Sequence, residues 1–231
     1  MSVVNLINSC ESCTRRRKNF QHLTKEELNL INENRYEATF KPGEIILKQG
    51  SPTSNALFMA SGMAKSYIEG LNGKNFIMSI VLPGRLILGP GAYVDLRHSY
   101  TVSAITAVQA CFINLEIFKR IVKTNAIFAE SLIEDISAKS LVSLNRMVNL
   151  SQKKMPGRLA ETLLYFSDEI FKNDEYEMIL SRQELGEMTN MAKECVVRIL
   201  KDFEDSNVIY SDSSQIKILD KEKLKQISLK G

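Results

Sequence analysis

The sequence predicts an α+β protein: a barrel or sandwich of short strands, one long helix, and a smaller helical domain ending in a two-stranded wing. Three observations predict it. Short β-rich runs cut by turn signals fill the chain from about Phe40 to Asn114. Apolar residues recur at helical spacing from Asn125 to about Lys153. The last third then carries a capped helix, a tight turn, a second helix and a strand pair.

Taken in order, the runs Glu44–Lys48, Ala56–Ser61, Ala64–Ile68, Asn75–Val81, Tyr100–Ile105 and Ala110–Ile113 read as strands. Pro42-Gly43, Gly50-Ser51-Pro52, Ser61-Gly62, Asn72-Gly73 and Pro83-Gly84 separate them. Asn-Gly between two apolar runs marks a hairpin, because both turn positions want positive φ. Many short strands at near-regular spacing suggest a closed or sandwiched antiparallel barrel. In the helical stretch, Ile127, Phe128, Leu132, Ile133, Ile136, Leu141, Leu144, Met147, Val148 and Leu150 form an apolar stripe wider than a two-stranded seam. Such a helix either packs within its own chain or shares one side with a second copy, and periodicity leaves both open. Met155-Pro156-Gly157 breaks the pattern and places the domain boundary. A helix from Arg158 to Phe171 and a loop at Asn173-Asp174-Glu175 follow.

Bulk composition narrows the class. With 231 residues, 44% apolar and 25% charged, the chain is an ordinary globular protein of one large or two modest domains. No run approaches the ~18 apolar residues of a membrane span, and the first 18 residues lack the apolar core of a secretory signal. A cytoplasmic protein with no membrane partner is expected. Four cysteines are too few for a disulfide scaffold of this length. Residues 151–231 hold 13 Lys+Arg against 15 Asp+Glu, net −2, which leaves +5 for residues 1–150 out of the total of +3. Contact with nucleic acid must therefore rest on local placement of charge.

That placement is readable. Ser181-Arg182-Gln183-Glu184 is a capping box that starts a short helix, with Leu185 and Met188 inward. Gly186 allows a second helix close approach, and Asn190 tolerates the left-handed turn between the two. Met191 begins the next segment, whose buried face is Val196, Ile199, Leu200 and Phe203. Lys193, Glu194, Val197, Arg198 and Lys201 occupy the other face, with a local charge of +2 over Met191–Lys201. A recognition helix reads base edges with its N-terminal residues, arginine forking onto guanine and a carboxylate accepting from cytosine. Asn207–Tyr210, Ser211–Ser214 and Gln215–Leu219 read as strand, turn and strand, a wing. An amphipathic helical hairpin with a solvated charged face would show the same pattern.

Gln183-Glu184-Leu185-Gly186, Glu194 to Arg198, and Glu204 to Ile209 resemble the helix-turn-helix of the CRP/FNR superfamily of transcription regulators. Lys41-Pro42-Gly43-Glu44, Gln49-Gly50, Ser61-Gly62 and Leu82-Pro83-Gly84 resemble that family's β-roll turns, so the likeness runs from about residue 20 to 219. The resemblance implies an N-terminal segment (1–19), a double-stranded β-helix (jelly-roll or β-roll) sensor domain (20–124), a dimerisation helix (125–153) and a winged helix-turn-helix (154–231). It implies a homodimer on palindromic double-stranded DNA, with RNA polymerase as a further partner to consider. By position, Glu194 and Arg198 resemble the family's base-reading pair, Lys193 and Lys201 add basic contacts, Val197 can meet a thymine methyl, and Ser181 lies at the first helix's cap.

The signal is less legible. Nucleotide-binding members resemble one another in a carboxylate after a glycine and an arginine beside serine or threonine. Here the loop is Leu88-Gly89-Pro90-Gly91-Ala92, without a carboxylate, and His98 beside Ser99 fills the arginine position. Cyclic AMP is not expected, although Arg97 could help Gly89, His98 and Ser99 hold another anion. Cys10 and Cys13 form a CxxC, and Cys111 falls at the end of the β-roll. The oxygen-sensing branch of the family is similar in using clustered N-terminal cysteines and one distant cysteine for a [4Fe–4S] cluster. Such a cluster takes four thiolates, and Thr14 to Phe20 contains no further cysteine. A redox disulfide at Cys10–Cys13, a zinc site, or a plain buried Cys111 remain alternatives.

No enzyme is expected. A metal-binding cupin barrel typically needs clustered histidines, and the chain has two, His22 and His98. It has no phosphate-cradling Gly-rich motif with lysine and no nucleophile elbow. A ligand-sensing module acting through protein partners rather than DNA is the competing class.

Overall fold

The computed structural model describes residues 2–3, 10 and 18–231. In chain order the elements are β1 (Ser2–Val3), α1 (Lys25–Glu33), β2 (Arg35–Phe40), β3 (Ile45–Leu47), β4 (Asn55–Ser61), β5 (Ala64–Glu69), β6 (Asn75–Val81), β7 (Leu86–Ile87), α2 (Gly91–Val94), β8 (Thr101–Ala104), β9 (Val108–Asn114), α3 (Leu115–Thr124), α4 (Ala126–Gln152), α5 (Met155–Tyr165), β10 (Glu175–Glu177), α6 (Arg182–Thr189), α7 (Lys193–Asp205), β11 (Ile209–Asp212), β12 (Gln215–Ile218) and α8 (Lys221–Lys230). The chain packs as two units. One holds the residues up to Glu69 with Met78–Lys139, and the other holds Gly70–Ile77 with Ser140–Gly231. This division falls inside α4 rather than at Met155-Pro156-Gly157.

In the first unit, a five-stranded sheet ordered β1-β2-β9-β4-β7 faces a four-stranded sheet ordered β3-β8-β5-β6. Leu57, Met59, Ala110 and Phe112 from the first meet Ala64, Val102 and Ala104 from the second in one core. The alternate residues of the same strands, Ala56, Phe58, Cys111 and Ile113, face the other way, onto Phe118, Ile121, Phe128 and Leu132 of α3 and α4. Period-2 alternation thus buries both faces of β4 and β9, and each fully buried large side chain contributes about 1.5–3 kcal/mol. Phe128 holds this second layer together: its ring lies 5.8 Å from that of Phe118 and 5.9 Å from that of Phe20.

The predicted hairpin turn is present: Asn72 and Gly73 both have positive φ, 58° and 71°. Strands begin earlier than expected, because β2 starts at Arg35 and pairs with β9 along its whole length. Helix α1 was unanticipated, yet its signal was in the sequence. The Thr24 hydroxyl accepts from the Glu27 amide (3.3 Å) and the Glu27 carboxylate accepts from the Thr24 amide (2.9 Å), a complete capping box. Asn114 caps α3 by its side chain alone, accepting from the amides of Glu116 and Ile117.

In the second unit two expectations are corrected. The helix expected from Arg158 to Phe171 is α5, which begins at Met155 and is followed by a π-helical turn over Phe166–Phe171. Proline is tolerated in a first turn, where its missing N–H would have no partner, so Pro156 starts this helix instead of excluding it. The loop expected at Asn173-Asp174-Glu175 ends one residue early, since Glu175 opens β10, which pairs with β12 to give a three-stranded sheet ordered β10-β12-β11. Among the described residues no helix is long and apolar enough to cross a membrane.

Candidate nucleic-acid interface

The helix-turn-helix is built as its sequence requires. The Ser181 hydroxyl accepts from the Glu184 amide (3.2 Å), and the Glu184 carboxylate accepts from the Ser181 amide (2.7 Å). A hydroxyl that accepts can still donate outward. Asn190 ends α6 in the left-handed region at φ 52°. A Cβ at Gly186 would lie 2.6 Å from the Met191 carbonyl oxygen, so only glycine lets the chain turn so tightly there. Helix α7 begins at Lys193, two residues after the expected Met191, with Ala192 in the capping position.

Val196, Ile199, Leu200 and Phe203 are buried, while Lys193, Glu194, Val197 and Arg198 are exposed together on the opposite face. The structure therefore brings these four expected readers onto one exposed face. Lys201 continues that face, but its ammonium pairs with Asp205 at 2.9 Å, one turn on. Cys195, between the two faces, is half-buried.

Sequence reasoning missed Arg182. Its guanidinium donates to the Ser211 hydroxyl (3.0 Å) and the Ser213 carbonyl (2.9 Å), which fastens the wing turn to the start of α6. Ser211 is held a second way, its amide donating to the Glu204 carboxylate at 3.0 Å. No sequence spacing signals an arginine that bridges partners roughly thirty residues away; only the folded chain shows it.

Arg97 is exposed and donates to the Gly50 carbonyl at 2.7 Å. The His98 backbone pairs with Gly50 and Ser51, and burial pulls its imidazole below the ordinary histidine value, toward the neutral form. Ser99 is exposed, and Gly89 lies against the Tyr100 ring.

The thiols divide. Cys111 is buried on β9, Cys10 packs on the same cluster, and Cys13 lies outside the described residues. Among the described residues no group of three or more His, Cys, Asp and Glu side chains could hold a metal.

Two family models match the chain: a cyclic nucleotide-binding domain over residues 37–125 and a Crp-like helix-turn-helix domain over residues 157–227. The cAMP-activated global transcriptional regulator CRP of Salmonella typhimurium is 26% identical over 175 residues, covering 74% of this chain and 83% of that protein. The transcriptional activator protein anr of Pseudomonas aeruginosa is 24% identical over 203 residues, covering 86% and 83%. The structure of FixK2 from Bradyrhizobium japonicum matches at a TM-score of 0.74 with 19% identity, covering 83% of this chain and 96% of that one. A CooA variant from Carboxydothermus hydrogenoformans matches at 0.73 with 16% identity, covering 98% of each.

Proposed function

This chain belongs to the CRP/FNR family of DNA-binding transcription regulators, and on that premise we propose that it reads a palindromic operator as a homodimer, under a signal received in the β-roll. One observation carries the reading: α7 exposes Lys193, Glu194, Val197 and Arg198 on a single face, beside a wing that Arg182 fixes to α6. Insertion of this face into a major groove puts a guanidinium and a carboxylate against base edges, while Lys193 and the Ser181 hydroxyl approach phosphates. The homodimer is supported by α4, whose exposed apolar stripe would be covered by a second copy.

The reading is tested by binding-site selection and by affinity measured over a range of salt. The logarithm of the affinity should fall linearly with the logarithm of salt, as phosphate contacts release counterions. Arg198→Ala should weaken binding by about 1–3 kcal/mol and relax preference at one position per half-site. Unchanged preference would remove Arg198 from the reading set, and salt-insensitive retention would favour a module acting through protein partners.

For the effector, the proposal excludes cyclic AMP. The loop from Leu88 to Ala92 offers no carboxylate for a ribose, and His98 is held toward its neutral form where a phosphate needs a cation. Cyclic AMP is expected to leave operator affinity unchanged. A saturable increase would overturn this part.

A further inference from the structure

The register of β10, β12 and β11 sets two rows of side chains across the outward face of their sheet. Glu175, Lys217 and Tyr210 form one row. Glu177, Gln215 and Asp212 form the next, at the end where the wing turns. All six are exposed, while Tyr176, Ile209 and Ile216 on the other face are buried. In the first row the Lys217 ammonium pairs with the Glu175 carboxylate at 2.9 Å, so its charge cancels. The second row keeps its charge. Asp212 accepts from the Ser213 hydroxyl (3.4 Å) and Glu177 from the Ser214 hydroxyl (3.3 Å), both neutral donors. Two strand spacings separate these carboxylates, about 10 Å along the row.

The row is fastened to the helices that read DNA. Arg182 donates to the Ser211 hydroxyl and the Ser213 carbonyl, the two neighbours of Asp212 in the chain. Arg182 itself follows Ser181 at the start of α6. Its guanidinium is half-buried and engaged by the turn, so the turn holds one cation inward and two carboxylates outward. We propose that the wing of this chain repels the DNA backbone: Asp212 and Glu177 set negative charge beside the phosphates that flank α7 and lower the sequence-independent part of the affinity. The proposal rests on the operator reading and deepens it. A duplex carries one negative charge per about 1.7 Å of its axis. Charges within about one Debye length, ~8 Å at physiological salt, are only partly screened. Phosphates carry no sequence information, so this repulsion acts alike on every sequence. Attraction then falls to the basic face of α7, and base contacts weigh more in the total.

The test is made on the intact chain, by fluorescence anisotropy with two duplexes of equal length, one carrying the selected operator and one unrelated. The double substitution Asp212→Asn and Glu177→Gln removes both charges and keeps the oxygens to which Ser213 and Ser214 donate. Affinity for both duplexes should rise about tenfold at 50 mM salt and less at 200 mM, with base preference unchanged. Asp212→Lys should steepen the salt dependence by about two in log–log slope per dimer, at roughly 0.9 per phosphate neutralised. Glu33→Gln, on α1 in the other unit, removes a like charge and should change affinity less than about twofold. Unchanged or weaker binding by the double variant would overturn the proposal. So would a gain that ignores salt, a shift in base preference, or an equal gain from Glu33→Gln. The operator reading fails on a different result, an unaltered chain that binds both duplexes alike.

Discussion

Charging the outer face of α4 is expected to split the protein into single chains and to cost most of its operator affinity. The amino-terminal end of this helix is anchored inward by Phe128 and Leu132. Beyond them Ile133, Ile136, Leu141, Leu144, Met147 and Val148 are all exposed, between 49% and 66%. At about 100° per residue these six fall within one stripe roughly 140° wide. A stripe of that length left in water is a large unfavourable apolar surface, and an identical helix laid along it by a two-fold axis would cover both copies at once. The double substitution Ile136→Glu and Leu144→Glu places four carboxylates across that axis while disturbing no buried contact of the single chain. Light scattering should read one chain per particle where the unaltered protein reads two, with the helical circular dichroism unchanged. Affinity for a palindromic operator should fall by about 10²–10⁴-fold, because the second half-site contact loses its effective concentration. An unaltered particle size would mean that the stripe is covered by something other than its own copy.

The same helix shows what the sequence could and could not reveal. Its apolar spacing was plain, but spacing alone could not say which side faces inward; the resemblance, not the periodicity, pointed to a second chain. The helix-turn-helix was almost wholly legible, because each of its parts has a local physical cause: the Ser181 cap, the close approach at Gly186, the left-handed Asn190. The Asn72-Gly73 hairpin was legible for the same reason. Local signals were sometimes present and unread, as in the Thr24/Glu27 box that opens α1. The three-residue β10 was not legible, since so short a strand is defined by its partner β12 and not by its own pattern. Least legible were the polar residues whose partners lie far along the chain. Arg35, Arg146 and Arg182 look like solvated surface arginines in the sequence, and each bridges partners that only folding brings together.

Removing the guanidinium of Arg146 is expected to destabilise the second unit by about 2–4 kcal/mol. Arg146 Nη2 donates to the Ile77 carbonyl at 2.7 Å and to the Met188 carbonyl at 2.6 Å, and its guanidinium carbon lies 5.0 Å from the centre of the Phe76 ring. Met188 stands in the last turn of α6, where a carbonyl has no partner within its own helix and a cation complements the helix dipole. Ile77 lies on β6, an edge strand of its sheet. One charged fork therefore satisfies an acceptor at a helix end and an acceptor at a sheet edge. Burial works against that charge and lowers the Arg146 value, while Tyr165 and Glu161 offset part of the cost. Arg146→Met keeps the apolar stem and removes both donors, so the denaturation midpoint should drop and amide exchange should rise at the end of α6 and in the hairpin residues Gly70–Ile77 together. Arg146→Lys keeps the charge but not the fork and should lie between the two. If α6 loosens while the hairpin does not, the two acceptors are not held as a unit and Arg146 is only a helix cap. If both loosen in step, the hairpin tip and the first helix of the DNA-reading motif share one arginine as their common fastening.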